Sequence, residues 1–208
     1  NLSCAYCKPP GRMQVLPHRD ILRYEEIHRL VSVAVPLGIS HVRITGGEPL
    51  VRRGIVPFIA SLRDIAGIED ISVTTNGVLL EEMASGLRDA GISRLNISLD
   101  SLDPKRFAEI TGSDAWHKVW RGIEAAERCG CDPIKINVVP IKGVNDDEVV
   151  AFARLTLDRL IHVRFIEFMP IGANDRWNTD ACVPAGEIRE TAGRGDDRRE
   201  MAGDRPQR

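Results

Sequence analysis

The 208 residues carry little aromatic surface: Phe, Trp and Tyr together make up 5% of the chain. That is too thin for the stacking platforms that hold single-stranded nucleic acids. An excess of one charge is also missing. Lys and Arg number 28 against 30 Asp and Glu, a formal net charge of −2, so no basic field argues for a nucleic-acid partner. No apolar run reaches the length of a membrane span, and nothing with the character of a secretory leader precedes Cys4. The five cysteines are odd in number and clustered, which argues against a secreted disulfide framework. A reducing, cytoplasmic compartment is the expectation. No G-x-G-x-x-G follows any predicted strand, so a conventional dinucleotide fingerprint is absent.

What is present is a chain with 43% hydrophobic residues, enough for one ordinary globular domain with a real core. Val- and Ile-rich runs predict strands near His41–Thr45, Asp70–Thr75, Arg94–Leu99, Ile134–Val139 and His162–Phe168. Helical patterns fall between them at Tyr24–Leu37, Val56–Ala66, Leu80–Ala90, Trp116–Cys129 and Asp146–Leu157. Asn145 followed by Glu148 reads as a capping box, and Gly38, Gly91 and Gly130 stand where helices stop. Strict strand–helix alternation implies an α/β fold with parallel strands. Polar or glycine-rich groups close each predicted strand: Gly46-Gly47-Glu48, Thr74-Thr75-Asn76-Gly77, Ser98 with Asp100, Asn137 with Pro140, and Glu167 to Pro170. Parallel barrels assemble their sites at that rim, whereas an open doubly wound sheet concentrates its site at one switch point. The expected fold is therefore a parallel α/β barrel, incomplete, with its first strand lost before Asn1. It spans residues 1–190. Residues 191–208, poor in large apolar side chains, form a tail expected to be disordered from about Gly193, with a short helix near 184–191 as a further reading.

Two motifs carry chemistry. Cys4-Ala5-Tyr6-Cys7 supplies two soft thiols at C-x2-C spacing, suited to zinc, redox or iron–sulfur chemistry. A cysteine immediately before Asn1 would complete C-x3-C-x2-C, three thiolates with one iron left free. A structural zinc site would need a second pair, which Cys129 and Cys131 supply poorly, and the Lys8-Pro9-Pro10-Gly11 that follows reads as loop, unlike a thioredoxin helix. Gly46-Gly47-Glu48-Pro49 follows a strand directly. Its glycines let a ligand approach the backbone, although an ordinary strand-to-helix turn has the same look.

Together, and in this order, the motifs resemble the radical S-adenosylmethionine superfamily. Arg43-Ile44-Thr45-Gly46-Gly47-Glu48-Pro49-Leu50, Thr74-Thr75-Asn76-Gly77, Asn96-Ile97-Ser98-Leu99-Asp100-Ser101, Lys135-Ile136-Asn137-Val138-Val139 and Arg164-Phe165-Ile166-Glu167-Phe168-Met169-Pro170 are similar to its GTP 3′,8-cyclase family. That family performs the first step of molybdenum cofactor biosynthesis. The resemblance implies a (β/α)6-type barrel, a [4Fe–4S] cluster and S-adenosylmethionine. It implies that Cys4 and Cys7 ligate the cluster, with Tyr6, Gly47, Ser98 and Met169 contacting S-adenosylmethionine. Arg43, Thr74, Lys135 and Arg164 would hold GTP, the three cations meeting around its triphosphate. Arg52 and Arg53 read as surface or helix-start residues, and Cys129, Cys131 and Cys182 as packing thiols. The chemistry implied is radical: the 5′-deoxyadenosyl radical takes hydrogen from the 3′ carbon of GTP, which closes onto C8 to give (8S)-3′,8-cyclo-7,8-dihydroguanosine 5′-triphosphate. A reductant for the cluster and a homodimer of the intact protein are further implications, without nucleic acid or membrane.

The sequence departs from that family in three ways. The first cluster cysteine and a basic residue upstream are not in the chain. Lys8 replaces a customary apolar residue. The second cluster, with its Arg-rich neighbour, has no counterpart after Glu190. The chain by itself is thus expected not to complete the cyclisation. Two other readings compete: a radical enzyme acting on a non-nucleotide substrate such as a peptide, and a non-catalytic metal- or nucleotide-binding barrel.

Overall fold

A computed structural model describes residues 1–7, 17–169 and 179–201. The loop reading at Lys8–Gly11, the motif end at Pro170 and the tail at 202–208 lie outside the described residues. Five strands form one sheet: β1 (His41–Ile44), β2 (Asp70–Thr75), β3 (Arg94–Ser98), β4 (Ile134–Val138) and β5 (Ile161–Phe165). All four pairings are parallel, and spatial order follows chain order without reversal. Right-handed crossovers that always step in the same direction place their helices on one face of the sheet. A doubly wound sheet would reverse at a switch point and be covered on both faces. β1 and β5 do not pair with each other, so this is an open, barrel-type α/β sheet.

The helices are α1 (Tyr24–Ala34), α2 (Ile55–Arg63), α3 (Leu80–Asp89), α4 (Pro104–Thr111), α5 (Trp116–Arg128), α6 (Val149–Asp158) and α7 (Ala185–Met201). Strand side chains alternate in their apolar character. Val73, Leu95, Ile97, Ile134 and Ile136 face the helices and are fully buried with Ile59, Leu62, Leu80, Leu87, Ile123 and Phe152. Each such side chain contributes about 1.5–3 kcal/mol of burial. The alternate residues are polar: Arg43, Ser72, Thr74, Asn96, Ser98, Lys135, Asn137 and Arg164. Helix-covered parallel strands normally read as continuous apolar runs because both faces are buried. Here the second face is left open for polar groups.

α5 lies close against α3 because Gly122 has no side chain. A Cβ there would sit 2.7 Å from the Gly77 carbonyl oxygen and 3.0 Å from Leu80 Cβ. In Gly122→Ala the gain in helix propensity, about 1 kcal/mol, is smaller than the cost of forcing backbone apart, about 3 kcal/mol. A net loss of about 2 kcal/mol is expected, read as a melting temperature lower by roughly 4–8 °C. An unchanged melting temperature would show that the two helices part without strain.

Three readings of the sequence are corrected. Asn145 and Glu148 do not form a capping box, since the Asn145 side chain makes no cap hydrogen bond. Asn145 instead accepts from Ile141 N–H at 2.6 Å and donates to the Asp100 carbonyl at 2.6 Å. Glu148 accepts from Ser101 Oγ at 2.8 Å, Leu102 N–H at 2.6 Å and Arg106 Nη1 at 2.6 Å. Three donors converging on the buried carboxylate outcompete the local cap. The second correction is α4, absent from the expected elements. Asp103 caps it by accepting from Arg106 N–H at 2.8 Å, Pro104 begins it, and Gly112 ends it with φ 67°. The third concerns α7, which covers the short helix read near 184–191 and runs on to Met201. Its Ile188 packs with Val149 and Val183, and Ala192 and Phe165 pack against these. No described helix is long and apolar enough to cross a membrane.

Candidate functional site

At the C-terminal ends of the strands lies a cavity of about 660 Å³. The loop of Cys4, Tyr6 and Cys7 walls one side, and the Thr45–Glu48 turn after β1 walls another. Thr74 to Asn76 at the end of β2, Ser98 and Asp100 beyond β3, and Phe107 and Thr111 of α4 complete it. A second cavity of about 370 Å³ lies lower on the polar face, lined by Arg43, Ser72, Arg94, Asn96 and Lys135 among others. Thr74 is the register partner of Asn96, and Asn96 of Lys135. The two cavities thus adjoin along the same sheet face, one above the other, as a trough. Both volumes fall in the range of small-molecule sites, about 300–1,000 Å³.

The structure therefore brings Cys4, Tyr6, Cys7, Gly47, Thr74 and Ser98 around one cavity. Arg43 and Lys135 stand together in the lower stretch. Arg164 is exposed on the same sheet face, in register with Asn137, and lines neither cavity. Met169 does not line the cavity either and is 65% exposed. Its neighbour Phe168 is buried, and successive side chains of an extended segment point opposite ways.

Local chemistry explains the walls. Glu48 is occupied by the protein: it accepts from Leu50 N–H at 3.0 Å, Thr75 Oγ1 at 2.7 Å and Asn76 N–H at 2.6 Å. It ties the glycine turn to the end of β2. Gly47 is different, because an added Cβ would meet no atom within 4 Å. Packing does not require glycine there, and the bare backbone is open to a ligand. The cysteine loop docks on the C-terminal end of α4, with Ser3 N–H on the Thr111 carbonyl at 2.9 Å and Ala5 N–H on the Ile110 carbonyl at 2.8 Å. Tyr6 donates its hydroxyl to Asp100 Oδ2 at 2.7 Å, and Val139 N–H donates to Oδ1 at 3.0 Å. Burial pushes the Tyr6 phenol well above its ordinary range, and the Asp100 carboxylate beside it adds to the effect. Burial also raises Asp100, opposed by the Tyr6 and Val139 hydrogen bonds.

Arg43, Lys135 and Arg164 make no ion pair among the described residues, whereas Arg94 pairs with Asp70 at 3.5 Å. Asn137 Oδ1 is buried without a hydrogen-bond partner among the described residues. Cys4 and Cys7 are the thiols at the cavity, and no group of three or more His, Cys, Asp or Glu gathers as a metal site among the described residues. Cys131 is buried in the core, where desolvation raises its thiol, and Cys182 Sγ contacts the Phe168 carbonyl at 3.1 Å. Arg52 lies over the Tyr24 ring at 4.1 Å and donates to the Leu22 carbonyl, tying α1 to the start of α2. Sequence reasoning missed Ser72 and Arg94 in the trough. The period-two spacing Ser72, Thr74 and Arg94, Asn96, Ser98 was the signal that carried them.

An open parallel sheet with thiols and a glycine turn at its C-terminal rim defines a class. The chain belongs to the radical SAM superfamily, whose model matches residues 1–156. Among curated proteins it is 55% identical over 175 residues to the GTP 3′,8-cyclase of Heliobacterium modesticaldum, covering 84% of this chain and 54% of that protein. It is 56% identical over 174 residues to the GTP 3′,8-cyclase of Gloeobacter violaceus, covering 83% of this chain and 54% of that protein. The chain thus spans about half the length of the curated relatives it matches. Solved structures similar in fold include native anSMEcpe with bound AdoMet, at TM-score 0.70 and 17% identity, covering 99% of this chain and 59% of that one. A radical SAM methyltransferase from Sphaerobacter thermophilus aligns at TM-score 0.63 and 19% identity, covering 85% and 55%.

Proposed function

We propose that this chain is the barrel portion of a GTP 3′,8-cyclase acting in molybdenum cofactor biosynthesis. One observation carries the reading: the thiol loop and the open glycine turn line one cavity, and Arg43 and Lys135, which make no ion pair among the described residues, line the cavity beside it on the same sheet face. The two thiols and the bare backbone at Gly47 fit an iron–sulfur cluster beside S-adenosylmethionine. When bound, the cluster and S-adenosylmethionine supply the radical that takes hydrogen from the substrate.

The protein's own residues bind and orient. Cys4 and Cys7 ligate iron. Tyr6, Gly47 and Ser98 shape the S-adenosylmethionine side of the cavity, and Met169, exposed just beyond β5, is assigned to the same cofactor. Thr74 stands between the upper and lower stretches and contacts the substrate. Arg43 and Lys135 receive its triphosphate with charge-assisted hydrogen bonds, and Arg164 extends the cation set along β5. A reductant must deliver the electron, and the intact protein pairs as a homodimer in the cytoplasm. A peptide substrate would have no use for cations that make no ion pair among the described residues, which disfavours the non-nucleotide reading.

The test restores a cysteine immediately before Asn1, reconstitutes the protein anaerobically with iron and sulfide, and records its electron paramagnetic resonance. A reduced [4Fe–4S] signal that shifts on adding S-adenosylmethionine is expected, as is protection of the barrel from limited proteolysis by GTP. Zinc retained in place of iron, with no protection by GTP, would sink the proposal.

A further inference from the structure

Asp100 stands just beyond β3 and is 4% exposed. Burying a carboxylate is costly unless its oxygens are satisfied, and an apolar side chain would fill the position at less cost. No ion pair meets Asp100 among the described residues. Its oxygens take two donors: Val139 N–H from the chain after β4 and the Tyr6 hydroxyl, 94 residues away in sequence. Its own carbonyl is held by Asn145 Nδ2 at 2.6 Å, so the acceptor sits on a fixed frame.

The cysteine loop is tied to the barrel on both the Cys4 and the Cys7 side. The backbone of Ser3 and Ala5 docks on α4, which holds the Cys4 side. Beyond Ala5, the loop closes on itself through Cys7 N–H to the Cys4 carbonyl at 3.0 Å, and the Tyr6 side chain reaches into the barrel. The Tyr6 ring also meets Phe168 edge-on at 6.2 Å. The Asp100 carboxyl is buried and the Tyr6 side chain half-buried, so breaking their hydrogen bond would leave a polar group unsatisfied. The phenol–carboxylate bond is therefore the polar anchor of the Cys7 side.

We propose that Asp100 is a positioning residue for the cysteine loop: by accepting the Tyr6 hydroxyl it fixes where the Cys7 thiol stands at the cavity. The inference rests on the reading of Cys4 and Cys7 as metal ligands. Its test separates the two ideas. In metal-free protein, amide hydrogen exchange of residues 3–7 is compared in the wild type, Tyr6→Phe, Asp100→Ala and the double variant. Tyr6→Phe keeps the ring and its packing, so it remains informative even if Asp100→Ala folds poorly. Exchange in the loop is expected to rise about tenfold in either single variant and no further in the double. α5 and β4 should exchange at wild-type rates in Tyr6→Phe. Unchanged loop exchange in Tyr6→Phe, or a rise shared by α5 and β4, would overturn the proposal.

The metal arm uses Co²⁺ alone, followed by its thiolate charge-transfer absorption. Tyr6→Phe is expected to bind Co²⁺ about tenfold more weakly while still unfolding cooperatively, its melting temperature lower by only a few degrees because Asp100 loses one donor. Equal affinity would show that the tether does not position the thiols. No cobalt band in the wild type would sink the ligand reading itself, and exchange would then decide the tether on its own.

Discussion

In protein carrying a cysteine restored before Asn1 and reconstituted anaerobically, serine at Cys4 or at Cys7 is expected to abolish the iron–sulfur absorption, with iron per chain falling to background. The size of the effect follows from the donor. A thiolate is soft, polarisable and ionised by the metal, whereas a serine hydroxyl is hard and stays protonated near neutral pH. No other cysteine can stand in. Cys131 is locked in the core and Cys182 is held against the Phe168 carbonyl. Cys129 ends α5 and lines neither cavity. Cys182→Ser therefore serves as the control and should load iron as the wild type does. Iron retained by both the Cys4 and Cys7 variants would mean that the metal sits elsewhere.

The core was legible in the sequence because its signals are local. Strand runs rich in Val and Ile, and glycines after helices, place β1 to β4 within a residue or so of their observed ends. The same signal carries β5 too far, to Phe168, because Ile166 and Phe168 continue the apolar run. The ladder stops at Phe165, and Phe168 buries without it. The cavity rim was also legible, since Thr74, Ser98 and Gly47 close their strands. What failed were pairings distant in sequence. Nothing near Glu148 shows that Ser101 and Arg106 will claim it, so a local cap looks sufficient. Asp100 reads as a polar strand end, but its partner Tyr6 lies at the other end of the chain. The lower trough is hidden differently. Its polar residues are present in every strand, yet a lone strand cation reads as exposed until alternation is counted across all five.

That alternation sets up the second large effect. Lys135→Ala is expected to weaken GTP binding about 30-fold, the loss of one charge-assisted contact of about 2 kcal/mol. Equilibrium binding calorimetry measures it. Lys135, Asn96 and Thr74 are successive register partners across β4, β3 and β2, with strands about 4.8 Å apart. Such a row spans the width of a polyphosphate, with Arg43 two strands from Asn96 on the far side. Without an anion, Arg43 and Lys135 line the same cavity with no ion pair from the described residues. Both cations face one cavity, and a bound triphosphate would give each a partner of opposite charge. Arg94→Ala is the discriminating control. Arg94 lines the same cavity, but Asp70 already neutralises it at 3.5 Å, so its loss should change affinity by less than about threefold. Salt supplies the sign: raising ionic strength should weaken the wild type more than Lys135→Ala, because the variant has one charge fewer to screen. If Lys135→Ala binds GTP as tightly as the wild type while Arg94→Ala does not, the anion lies at the β2–β3 edge of the trough and the triphosphate assignment to Arg43 and Lys135 fails.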